Sequence, residues 1–146
     1  MKVKAIIETG KDTTYDIYTE NDALPFMLLG QGKGIKEATE DFLKCKQEME
    51  ILFSEQGEVF DFAHLEFEYV YDTASFLKYF PFTLTWLSSV TGINKKQLSH
   101  YTTGKSRPSA KTVLRIQEGI VRLANELISV RLVWFSPVSH NLWVHA

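Results

Sequence analysis

Apolar and polar residues alternate from the first residues of the chain. In "KVKAIIE", Val3, Ala5 and Ile7 fall on one face and Lys2, Lys4 and Ile6 on the other. "TYDIYTE" repeats the period, with Tyr15, Ile17 and Thr19 against Asp16, Tyr18 and Glu20. The "TGKDT" between them is a cluster of turn formers, so the two runs predict a β-hairpin. "PFMLL", bounded by Pro25 and Gly30, predicts a short, fully apolar third strand. "GQGKG", Gly30 to Gly34, reads as a flexible strand-to-helix connection. It lacks the Lys-Ser/Thr ending of a phosphate loop and the glycine spacing of a dinucleotide fingerprint. The period then lengthens. Ile35, Ala38, Phe42, Cys45, Met49 and Leu52 form one helical stripe, with Glu37, Glu40, Asp41, Glu48 and Glu50 off it. Gly57 follows near the end of that helix. "HLEFEYVYD" returns to alternation, with Leu65, Phe67, Tyr69 and Tyr71 opposite Glu66, Glu68, Val70 and Asp72.

The remaining pattern is helical and broken into short pieces. Asp72 or Thr73 can cap "TASFLKYF", and Pro81 interrupts the chain. "LTWLSSVTG" presents Leu84, Leu87 and Val90, and Gly92 supplies a turn. Asn94 is a good cap for "KKQLSHYTT", which offers only Leu98 and Tyr101 to a core before Gly104 ends it. Ser109 caps a long helix striped by Val113, Ile116, Ile120, Leu123 and Leu127. The tail from residue 130 to 146 alternates on both sides of Ser136-Pro137. It fits a strand or hairpin exchanged between subunits, or a disordered extension. The expected class is α+β: a β-β-β-α-β unit over 1–72, an all-α unit over 73–129, and the tail.

Composition adds limits. A chain of 146 residues, 45% of them hydrophobic, suits one ordinary domain or two small ones with a real core. No long apolar run predicts a membrane span, and an acidic Glu8 so early does not suit a signal peptide, so the expected setting is cytoplasmic. Cys45, the single cysteine, cannot form an internal disulfide and reads as an inert core thiol. His140 and His145 lack the spacing and the cysteine partners of a zinc site, so no metal or cofactor is expected. Charge changes the picture most. Residues 1–72 carry seven lysines against sixteen acids, a net −9, whereas residues 73–146 carry nine cations against Glu118 and Glu126, a net +7. A sign change that coincides with the change of period predicts two surfaces with different partners.

Two resemblances follow. "LPFMLLGQGKGIKEATEDF" resembles the strand-to-helix region of HicB-family antitoxin domains through Leu24-Pro25, Gly30/Gly32 and Glu37-Ala38. Pro25-Phe26-Met27 stands where that family commonly has Pro-Gly-Cys. The resemblance implies a shortened RNase H-like fold for residues 1–72. It does not imply nuclease activity: Glu66 and Glu68 alternate with Leu65 and Phe67 as on a solvated sheet face, and two-metal hydrolysis needs converging carboxylates. No enzymatic activity is expected.

"LSSVTGINKKQLSHYTTGKSRPS" resembles the XRE/Cro-type helix-turn-helix. Leu87, Ser88, Gly92, Ile93, Asn94, Leu98, Ser99, Tyr101, Gly104, Lys105, Pro108 and Ser109 fill its pattern at the right spacing. The two segments together are similar to helix-turn-helix regulators of Bacteroides-type bacteria. That likeness implies a cytoplasmic, dimeric regulator of transcription that binds double-stranded DNA, its seam being the long terminal helix or the tail and its acidic N-terminal unit binding a protein or small effector or building the dimer. A recognition helix reads bases from its N-terminal residues, here Lys95, Lys96 and Gln97, with His100 one turn on. Lysine can donate to guanine and glutamine can pair with adenine. Ser99, Thr103, Lys105, Ser106, Arg107 and Lys111 would meet phosphates, Ser99 being equally suited to packing. The narrower alternative is an antitoxin whose acidic unit covers a small basic RNA-cleaving toxin. A Mg²⁺-dependent nuclease is the remaining one.

Overall fold

A computed structural model of the chain describes residues 1–10, 12–80 and 82–134. The protein is mixed α+β, with four strands in one sheet and five α-helices among the described residues. In chain order these are β1 (Lys2–Thr9), β2 (Tyr15–Thr19), β3 (Leu29–Gly32), α1 (Ile35–Gln56), β4 (Glu66–Tyr71), α2 (Thr73–Tyr79), α3 (Leu84–Thr91), α4 (Lys95–Thr103) and α5 (Ala110–Ser129). A single 3-10 turn, Phe62–His64, precedes β4. The sheet runs β3-β2-β1-β4; β1 and β2 form the antiparallel hairpin, and β4 lies parallel to β1.

The alternation sorts the sheet faces as expected. Val3, Ala5, Ile7 and Ile17 are buried, and the register sets Phe67, Tyr69 and Tyr71 on the same side as Val3, Ala5 and Ile7. That side is covered by α1 through Ala38 and Phe42, both fully buried, with Cys45 and Met49 packed against the cluster. The ends of the predicted stripe leave it: Ile35 and Leu52 are exposed, because α1 overhangs the small sheet at both ends. Phe26, Phe53, Phe60 and Phe62 extend this core edge-to-face, with centroids 4.9–6.3 Å apart apart from one stacked pair at 5.4 Å.

The third strand needs a correction. It covers Leu29–Gly32, not "PFMLL", and Gly30 and Gly32 lie inside it rather than in a connection. Leu28 is buried before the strand begins and its N–H donates to Thr19 Oγ1 at 3.3 Å. The glycines permit close packing of α1: a Cβ at Gly30 would lie 2.3 Å from the backbone N of Phe42 and 2.5 Å from the carbonyl of Ala38. Carboxylates fill the donors around the start of α1, Asp41 accepting from Gln31 N–H at 2.9 Å and Glu37 from Lys33 N–H at 3.1 Å. An anion would meet those carboxylates there.

Among the described residues no helix packs on the opposite sheet face as α1 does on the first, although Val70 lines a crevice shared with α5. Register lines up Leu29, Tyr18, Ile6 and Val70 as one apolar row across it, flanked by Lys4, Glu8, Asp16, Gln31 and Glu68. Tyr18 donates to Glu8 at 2.5 Å, and burial together with that bond pushes its phenol far above the ordinary tyrosine range.

The second core cluster is helical: Leu77, Leu87, Ile93, Leu98, Tyr101 and Ile116. It joins the first through Asp72. The Asp72 N–H donates to Ile7 O at 2.8 Å as the last rung of the sheet, while its carboxylate accepts from Ser75 N–H at 2.9 Å and caps α2. Tyr71 meets Phe76 and Phe80 edge-to-face, both at 5.6 Å. Val130–Trp134 have no regular structure. Lys11 of the hairpin turn, Pro81, His140, His145 and the tail from 135 to 146 lie outside the described residues. Among the described residues no helix is long and apolar enough to cross a membrane.

Candidate nucleic-acid interface

The site is built on α3, a tight turn and α4. Thr83 caps α3 by accepting from Trp86 N–H at 3.1 Å. Gly92 ends it at φ 72°, a conformation L side chains rarely adopt, and so turns the chain sharply. Ile93 is buried beneath the turn, and Asn94 restarts a helix by accepting from Lys96 N–H at 2.8 Å. Leu98 and Tyr101 fix the inner side of α4. Lys95, Lys96 and Thr103 consequently point into solvent, and Ser99 and His100 are half-buried beside them.

The loop after α4 folds back toward this face. Ser106 N–H donates to His100 O at 3.4 Å, and Gln97 Nε2 donates to Ser106 Oγ at 3.0 Å. The expected base reader and the expected phosphate contact are thus partners of each other. That bond leaves the carbonyl of Gln97 free and holds the loop against the start of α4. Lys105 and Arg107 are exposed on the loop, and Lys111 is exposed in the first turn of α5. Thr103 Oγ1 donates to His100 O at 3.2 Å, a local bond that a phosphate can replace. The arrangement is a cationic surface: from residue 73 onward the only acids are Glu118 and Glu126.

Apart from Ser88, sequence patterns did not single out the residues that hold the turn. Arg115 of α5 donates to Thr91 O at 2.6 Å, and Arg122 donates to Val90 O at 3.5 Å. Both cations satisfy carbonyls at the C-terminus of α3, where the helix dipole favours positive charge. Ser88 Oγ donates to Ile93 O at 2.6 Å, and buried Thr91 donates to Leu87 O at 2.7 Å and accepts from Ile93 N–H at 3.2 Å. Gly119 lets α5 approach, since a Cβ there would lie 3.0 Å from Thr91 Cγ2. The seven-residue spacing of Arg115 and Arg122 was the available signal.

Elsewhere Glu66 and Glu68 are exposed on β4, and among the described residues no group of three or more His, Cys, Asp or Glu is placed to hold a metal. Comparison of the chain with protein-family models, curated proteins and solved structures found no match.

Proposed function

We propose that the protein is a sequence-specific DNA-binding regulator of transcription that acts as a dimer. In this reading α3 and α4 are a helix-turn-helix, similar in sequence to the XRE/Cro type. Lys95, Lys96, Gln97 and His100 face the major groove. Thr103, Lys105, Ser106, Arg107 and Lys111 meet the phosphates on either side, with Ser99 between the two sets. The supporting observation is the exposed, cationic N-terminal turn of α4, held rigid by the Asn94 cap and the buried Leu98 and Tyr101. A free basic helix would not need its turn fastened by two arginines from α5.

The test is a titration onto a duplex covering the protein's own promoter, beside a scrambled duplex, over a salt series. Affinity falls steeply with salt and favours the promoter; Lys95→Ala/Lys96→Ala lowers promoter affinity by about two orders of magnitude and erodes the preference for promoter over scrambled duplex. Equal affinity for both duplexes, or an unaffected double variant, would refute the reading.

The narrower antitoxin reading is favoured by a different observation, the uncovered sheet face with its apolar row and acidic flanks. A small basic toxin would lie on it. Co-expression with a small basic protein encoded next to this gene tests that reading: a stable complex lost in Ile6→Glu supports it, and separate elution ends it.

A further inference from the structure

α5 has two apolar faces, and the second is only partly used within the chain, where Ile120 packs against the helical core. At about 100° per residue, Thr112, Ile116, Gly119 and Leu123 point toward α3. Val113, Gln117, Ile120, Val121, Ala124, Leu127 and Ile128 make a second face turned away from it. Ile116 and Gly119 are buried on the first. On the second, Leu127 is 59% and Ile128 74% exposed, and the chain continues into Leu132 and Trp134 at 92% and 89%.

Part of this second face, with Ile116 of the first, forms one wall of a crevice that no described residue fills. Val113, Gln117 and Ile120 stand opposite Tyr69, Tyr71 and Phe76 across a cavity of about 450 Å³. Neither Asp, Glu, Lys, Arg nor His lines it. An apolar crevice and an exposed apolar segment on one chain are complementary surfaces that the chain does not bring together.

We infer that a second copy of the chain fills both. The two α5 helices pair antiparallel through their second faces, with the small Ala124 at the two-fold axis. Ile120 then meets Ile128 of the other copy, and Val121 meets Leu127. Measured from Ala124, Gln117 to Val113 lie ~10–17 Å along the helix, and an extended Val130–Trp134 beyond the end of α5 reaches ~11–24 Å. The segment of each copy therefore passes the crevice of the other, with slack to bend inward and seat Leu132 or Trp134 on the aromatic wall. The pairing covers Val121, Leu127, Ile128, Leu132 and Trp134, which are 48–92% exposed in the single chain, and a stable interface takes ~800 Å² from each partner. No charge on the helical face opposes the pairing. The pairing rests on the regulator reading only for its purpose, which is to place two recognition helices about a two-fold axis.

The experiment uses the full chain. Sedimentation at about 10 µM gives a dimer; Ala124→Glu weakens it at least ~30-fold, by setting like charges on the axis, with an unchanged circular-dichroism spectrum. Trp134→Ala weakens it as well without touching the helix. In a Cys45→Ala background, oxidising a mixture of Gln117→Cys and Leu132→Cys chains gives an inter-copy disulfide, and Ser54→Cys in place of Leu132→Cys gives none. A monomeric wild type, a dimer indifferent to Ala124→Glu, or cross-linking no better than the Ser54→Cys control overturns the inference. A cross-linked dimer that ignores promoter DNA sinks the regulator reading alone; a monomer that binds the promoter sinks the pairing, and with it the dimeric part of that reading, and leaves DNA binding standing.

Discussion

Gly30 and Arg115 are the residues on which most depends. A Cβ at Gly30 meets the backbone of α1, which cannot swing aside as a flexible side chain would. Gly30→Ala should therefore destabilise the sheet unit by more than ~3 kcal/mol, read as a lower denaturant midpoint; an unchanged midpoint would mean that α1 can slide. Arg115 acts through one bond. Arg115→Ala leaves the Thr91 carbonyl without its cation and should cost about 1–3 kcal/mol, with a matching loss of promoter affinity. Arg115→Lys should recover part of both. If stability falls and affinity does not, the anchor serves folding alone. Gln97 and Ser106 show what residue types conceal. Each reads as a contact to nucleic acid, yet they bond across a loop nine positions apart. No periodicity reports such a pair.

Among the elements, β1, β2 and β4 were legible because their two sides meet different surroundings, and alternation records that difference directly. β3 was misplaced for the opposite reason. Two of its four residues are glycines, which carry no side chain to alternate, and the apolar run before it is largely loop. The helix caps Asp72, Asn94 and Ser109 were readable, since each is a short polar side chain just ahead of a helical pattern. α5 was only half legible. Its stripe of Val113, Ile116, Ile120, Leu123 and Leu127 is wide enough to hold two faces, and sequence spacing alone does not say which residues the chain buries. The arginines that fasten α3 were hidden among cations that resemble solvated charge.

Over the whole molecule the acidic and basic stretches are built on separate apolar cores, and the junction between them is aromatic and titratable. Burial raises the phenols of Tyr69 and Tyr71 above their ordinary value of 10.0, and that of Tyr18 further. A folded-state pKa above the unfolded one means that the fold favours the neutral phenol. This contribution is complete below pH 10 and is lost as pH rises through the folded values. Denaturant midpoints should thus hold from pH 8 to about 9.5 and fall above pH 10. Tyr71→Phe should reduce that fall. Because the Tyr71 hydroxyl is buried with no hydrogen-bond partner among the described residues, the variant should match or exceed the parent near pH 7, by up to ~1 kcal/mol. A marked loss there would show that the hydroxyl has a partner.

The parallel pairing of β1 with β4 also sets an order of events. Lys2 pairs with Glu66 and Ile7 with Tyr71, so the first strand of this sheet to be synthesised waits for the last. Until then the hairpin can form and α1 can dock, but one edge of β1 stays open and able to pair with another chain. Only the arrival of β4 closes it, and the next residue, Asp72, starts α2 in the same step. The nascent chain therefore completes its acidic unit at the moment it begins its basic one. The helical unit, rich in local contacts, can then form quickly on a finished base.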